Sequence, residues 1–122
     1  MSSVNIYEPN EPIMSHITKK EFKSLLSHLR ASAKKRGIEF DLTTADIDEI
    51  GIPISCPVLG IPLKFNKGKP LDDSISFDRI ESSKGYTKDN VIIVSNRVNR
   101  LKSNSTYDEM KKIFEYYSKL TD

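Results

Sequence analysis

Ile75 to Ile80 and Asn90 to Val94 are short β-rich runs separated by the turn-forming segment Ser82-Ser83-Lys84-Gly85. The residues directly after the second run, Ser95 to Ser103, have helical spacing, with Val98 and Leu101 expected on the inner side. A hairpin that runs straight into a helix brings one strand end and one helix face to a common point. That unit constrains the chain more than any other feature, because the rest must pack around it.

The remaining segments are short and separately punctuated. Thr18-Lys19-Lys20-Glu21 has the capping-box arrangement, and Phe22, Leu25, Leu26, Leu29 and Ala33 follow at helical spacing, with Gly37 as a left-handed stop. Ile38 to Leu42 alternates apolar and acidic residues, as a short strand or extended arm does. Thr43 or Thr44 is placed to cap a brief helix closed by Gly51. Pro53, Pro57 and Pro62 surround a tight Cys56-Pro57-Val58-Leu59-Gly60 knuckle, and Lys67 to Asp73 is a loop. Ser105 or Thr106 starts a last helix, with Tyr107, Met110, Ile113, Phe114, Tyr117 and Leu120 at core spacing. At that spacing these aromatics are expected in packing rather than as a platform for stacked bases. Residues 1–17 are polar, contain Pro9 and Pro12, and read as a flexible arm.

With 122 residues the chain has room for one domain, here residues 18–122, and too little for two ordinary ones. The expected class is α+β. A single cysteine excludes an internal disulfide framework and fits a reducing, cytosolic setting. No apolar run has the length of a bilayer span, so no membrane partner is expected. The start of the chain has neither the basic opening nor the apolar stretch of a signal peptide.

Net charge is only +2, but it is unevenly distributed. Lys19, Lys20, Lys23, Arg30, Lys34, Lys35 and Arg36 lie in the first helix region against one acid, Glu21. A second cluster comprises Arg97, Arg100 and Lys102, preceded by Lys84 and Lys88. Between them sits an acidic patch of Glu39, Asp41, Asp46, Asp48 and Glu49. A single charge run is usually a solvated face, whereas two separate basic clusters suit a polyanion, since neutralised phosphates release condensed counterions.

The chemistry-bearing residues fall on the hairpin–helix unit. Asp78 ends the first strand, Asn90 opens the second, and Asn96 and Asn99 lie in the following helix. A strand-end carboxylate beside a helix-face amide is a pair of hard oxygen ligands of the kind Mg²⁺ takes together with water and substrate phosphate. In this order and spacing the segment resembles the HNH, or His-Me finger, superfamily with its ββα-metal core, and especially the phage recombination endonuclease VII branch. The Cys56 to Gly60 knuckle resembles the one that precedes such a motif in small phage proteins. The resemblance covers about half of the chain, from Cys56 to the last helix.

The resemblance implies a ββα motif at about residues 75–103, treble-clef-like but without zinc, flanked by the basic helix and the C-terminal helix. It implies that Asp78 and Asn99 hold one divalent ion, Mg²⁺ or Mn²⁺, and that Asn90 braces the loop. It implies DNA as the partner, branched or nicked DNA included. Lys19, Lys20, Lys23, Arg30, Lys34, Lys35, Lys84, Arg97, Arg100 and Lys102 are candidate nucleic-acid contacts.

Two departures qualify this. The family's general-base histidine directly follows the metal-binding aspartate, and here that position is Arg79. A guanidinium stays protonated and cannot accept a proton from water, although it can clamp a phosphate. His28, in the first helix, is expected as a packed or half-exposed helix residue. His16, in the arm, could swing in as a base, or metal-bound water could lose its proton to solvent or substrate phosphate. The knuckle also lacks the paired cysteines of zinc-bound members, so no structural zinc is expected, and packing of Val58, Leu59, Ile61 and Leu63 is expected to hold it instead. Two functional expectations follow. One is a phage-type, metal-dependent DNA endonuclease that acts in the cytoplasm of an infected cell and uses Asp78, Arg79 and Asn99 in catalysis. The other is an inactive module of the same fold that binds nucleic acid or modulates a host protein. A homodimer, formed between the basic helix and the acidic segment, is compatible with the first.

Overall fold

The computed structural model describes residues 17–121. Helix α1 (Lys19–Lys35) begins at the expected place. The Thr18 hydroxyl accepts the Glu21 amide at 3.0 Å and the Glu21 carboxylate accepts the Thr18 amide at 2.9 Å. Phe22, Leu26 and Ala33 are buried on one face, and the chain leaves the helix through Gly37 at φ +69°. Helix α2 (Thr44–Ile50) repeats the reciprocal cap with Thr43 and Asp46, and buries Ile47. The alternation at 38–42 yields one parallel pairing, Phe40 with Tyr86, rather than a strand. The Tyr86 amide donates to the Glu39 carbonyl at 2.8 Å and the Asp41 amide to the Tyr86 carbonyl at 2.9 Å.

Strands β1 (Ile75–Arg79) and β2 (Val91–Ser95) form a two-stranded antiparallel sheet in which Phe77 faces Ile93 and Asp78 faces Ile92. The Ser95 hydroxyl then caps helix α3 (Asn96–Lys102) by accepting the Val98 amide. The last helix, α4 (Tyr107–Thr121), opens on a third reciprocal cap, Thr106 with Glu109. The core gathers Phe22 and Leu26 of α1, Leu42, Ile47, Ile52, Leu63 and the inward residues of the hairpin, including Phe77, Ile93 and Val94. The fold is a small α+β arrangement with the hairpin and α3 at its centre.

Several expectations need correction. Leu101 is exposed, and Val98 alone turns the apolar side of α3 inward. Val58 and Leu59 are exposed too. Leu63 is buried and Ile61 packs against the core, as expected. Buried Cys56 and backbone bonds complete the hold on the knuckle: the Cys56 amide donates to the Ile61 carbonyl and the Gly60 amide to the Cys56 carbonyl. Burial pushes the Cys56 thiol up, but hydrogen bonds from Leu59, Ser95 and Val58 outweigh it and leave its pKa below the ordinary value. No α4 residue is buried, and Phe114 is 71% exposed. The apolar spacing therefore gave the helix but, among the described residues, no partner for its face. Ile17, assigned to the arm, is buried in the core, whereas residues 1–16, including His16, lie outside the described residues.

Candidate functional site

Side chains two apart on a strand share a face, so Ser76 and Asp78 of β1 point together toward α3. Residues three apart on a helix are also neighbours, so Asn99 and Lys102 meet them as a pair. The Asn99 amide donates to the Ser76 hydroxyl at 2.7 Å. The Lys102 ammonium stands 3.2 Å from Asp78 Oδ1, 3.1 Å from Asp78 Oδ2 and 2.6 Å from the Arg79 carbonyl. An ammonium has three N–H donors, and three oxygens are within reach. The pair is well shielded, with the side chains of Lys102 and Asp78 only 14% and 7% exposed.

The loop between the strands is held from two sides. Asn90 is buried, donates to the carbonyls of Glu81 and Gly85 at 3.1 and 2.8 Å, and accepts the Glu81 amide at 2.9 Å. Arg79 donates to the carbonyls of Ser82 and Lys84 at 2.7 and 2.9 Å, and its guanidinium lies 5.2 Å from the Tyr86 ring centre. In this arrangement the Arg79 guanidinium braces the loop rather than reaching out as a clamp. Gly85 is required where it stands, because a Cβ there would lie 2.6 Å from both Cβ and the carbonyl oxygen of Glu39.

Asp78, Asn99 and Lys102 line a cavity of about 240 Å³ together with Arg36, Arg79, Tyr86 and Ser103. Arg36 arrives from the C-terminal end of α1 and donates to the Tyr86 hydroxyl at 2.9 Å. The lining therefore carries three basic side chains, Arg36, Arg79 and Lys102, and one acid, Asp78. Such a surplus favours an anion. A roomier cavity of about 780 Å³ lies between α1 and residues 64–70, lined by Leu25, His28 and Phe65 among others, away from Asp78. His28 itself is exposed, with Nδ1 3.5 Å from the Ser24 hydroxyl.

The divalent ion implied by the resemblance does not fit the residues as they stand. The Asp78 carboxylate that would ligate it has both oxygens against an ammonium, and Asn99 contributes only a neutral amide. Among the described residues no group of three His, Cys, Asp or Glu side chains is placed to hold a metal.

The ten candidate nucleic-acid contacts separate into two sets. Lys19, Lys20, Lys23, Arg30, Lys34 and Lys35 are exposed on α1, and Arg30 also lies 5.3 Å from the Phe40 ring centre. In the hairpin–helix unit Lys84 pairs with Glu81, Arg100 with Asp72 and Lys102 with Asp78. Arg97 is exposed and makes no ion pair among the described residues. Reading along the sequence missed Arg36 as a member of the site and Lys102 as the partner of Asp78. The second was foreshadowed by its place three residues after Asn99 on one helix face.

A two-stranded antiparallel hairpin that runs into a packed helix, flanked by further helices, is a fold of HNH type, and comparison with a solved structure agrees. The chain is similar to the rare-cutting HNH restriction endonuclease PacI, with a TM-score of 0.59 and 23% identity over 96% of this chain and 89% of that one. It is also 31% identical over 91 residues to the uncharacterized 29.0 kDa protein in the dda-modA intergenic region of Enterobacteria phage T4. That match covers 75% of this chain but only 36% of the phage protein, so the chain spans about a third of its relative's length. No family model matches. No helix among the described residues is long and apolar enough to cross a membrane.

Proposed function

We propose that this chain is a phage-type DNA-binding module on an HNH-like fold, acting in the cytoplasm of an infected cell, whose cleft takes a backbone phosphate without hydrolysing it. The observation that carries this reading is the charge of the cleft: three cations against one carboxylate, with the exposed basic face of α1 leading to it through Arg36. Phosphates running along α1 would meet Lys19, Lys23 and Arg30, then Lys34 and Lys35, before the cleft itself. Hydrolysis by the family's route needs a base and an ion. Arg79 cannot serve as the base, and Lys102 stands on the carboxylate that would hold the ion.

The second reading, a metal-dependent endonuclease, draws on Asp78 and Asn99 lining one cavity. Self-association through the acidic segment is less favoured, because Asp46 is used in the cap of α2 and Glu49 is paired with Lys88. The test is binding and cleavage of supercoiled, linear, nicked and branched DNA with Mg²⁺ or Mn²⁺, for wild type, Asp78→Ala and Arg79→His. The expected result is salt-sensitive binding with no cleavage by wild type. Cleavage by wild type that disappears in Asp78→Ala would replace this reading with the endonuclease. No binding to any DNA at low salt would turn the search to a host protein.

A further inference from the structure

We infer that Lys102 is a built-in cation: its ammonium takes the place beside Asp78 that a divalent ion would need, so the intact protein does not load a metal there. The inference rests on the reading of this cleft as a phosphate site and says what supplies its positive charge. Three oxygens converge on Nζ, two from Asp78 and one from the Arg79 backbone. A carbonyl and a carboxylate are also ligands that a hard divalent cation would choose. An ion bound to the same carboxylate would be pressed against a fixed positive charge, and the cavity already holds two more in Arg36 and Arg79.

The placement of Lys102 is built into the backbone. The residue after it, Ser103, has φ 48° and ψ −127°, a conformation that L-residues rarely adopt, at the point where α3 ends. The Ser103 amide donates to the Asn99 carbonyl at 2.8 Å, and the amide and hydroxyl of Ser105 both donate to the Lys102 carbonyl. Three hydrogen bonds thus fix the last turn of α3, and with it the point from which the lysine stem reaches Asp78. Asn99, one turn earlier, is tied to Ser76 and keeps the helix in register with β1. A tethered ammonium has a consequence that a free ion lacks, because chelators cannot remove it.

The test is titration of the full chain with MnCl₂, without DNA, followed by calorimetry and by the electron paramagnetic resonance signal of free Mn²⁺. Lys102→Ala is the principal variant. Lys102→Gln, which keeps part of the aliphatic stem and ends in a neutral amide, serves if the alanine variant does not fold by circular dichroism. Wild type is expected to show no saturable site dependent on Asp78. The Lys102 variant is expected to bind one Mn²⁺ at least tenfold more tightly than wild type, and to lose that site when Asp78→Asn is added. One Mn²⁺ bound by wild type and lost in Asp78→Asn would overturn the inference. So would a folded Lys102 variant that binds no more Mn²⁺ than wild type, which would leave the lysine a structural ion pair only. Because no DNA is present, either result is separate from success or failure of DNA binding.

Discussion

The basic residues of α1 and those of the hairpin–helix unit look alike along the chain, yet the fold uses them differently. On α1, Lys19, Lys20, Lys23, Lys34 and Lys35 are exposed and make no ion pair among the described residues. In the unit spanning β1 to α3, Lys84, Lys88, Arg100 and Lys102 each have an acidic partner, and Arg79 is held by two backbone carbonyls. Free cations are available to release counterions from phosphates, whereas paired ones hold the protein together. Lys84, Lys88 and Arg100 are therefore better read as architecture, Lys102 and Arg79 as charge fixed in the cleft, and α1, with Arg97 (unpaired among the described residues), as the exposed surface for DNA.

The sharpest way to break that distinction is Lys102→Ala. Removing one member of a shielded ion pair leaves the Asp78 carboxylate buried without its cation, a loss of about 3–5 kcal/mol. Urea denaturation checks it, and an effect below about 1 kcal/mol would mean that Asp78 finds other partners or water. Asn90→Ala, in the same unit, leaves the carbonyls of Glu81 and Gly85 without their donor. It is expected to cost about 1–3 kcal/mol in the same measurement.

The α1 counterpart leaves stability alone and changes binding. Replacing Lys19, Lys20 and Lys23 together with Gln is expected to move stability by less than about 0.5 kcal/mol per site. If each meets one phosphate, the slope of log K against log salt falls by about 0.9 per residue on duplex DNA. Titrations at four or five salt concentrations read that slope. An unchanged slope would remove this end of α1 from the DNA surface and undo the comparison.

How much of this was legible beforehand depends on whether the signal was local. The caps were legible because a capping box is written within four residues: Thr18 with Glu21 and Thr43 with Asp46 stand as the pattern implies. The hairpin–helix order was legible for a similar reason, since β-rich runs and helical spacing are short-range signals. What lies beyond local reach was not legible. Phe22 and Phe114 both sit at apolar positions of long capped helices, yet one is buried and the other exposed, because burial depends on what the rest of the chain brings alongside. The candidate site divides in the same way. Asp78 and Asn99 could be picked out from motif spacing. That a lysine would sit on the aspartate depended on the register of α3 against β1, and that Arg36 would join them depended on where α1 ends.

The smallest expected effect tests the weakest member of the paired set. Lys88 lies 2.5 Å from Glu49 of α2, and its pKa is raised, first by that hydrogen bond and then by the charges of Glu49, Asp89 and Asp46. A lysine whose pKa is raised on folding contributes stability that is complete below its unfolded value. That contribution disappears as pH climbs through the folded one. Wild type should therefore lose slightly more stability than Lys88→Ala as pH rises from about 9 upward, and the difference should shrink with added salt because the pair is exposed. Thermal melting of the two proteins across that range reads it. Parallel losses would mean that the Lys88–Glu49 bridge adds nothing, and that only shielded pairs such as Lys102–Asp78 make the second basic cluster structural. In that case Lys88, free in effect though paired in geometry, would belong with the cations of α1.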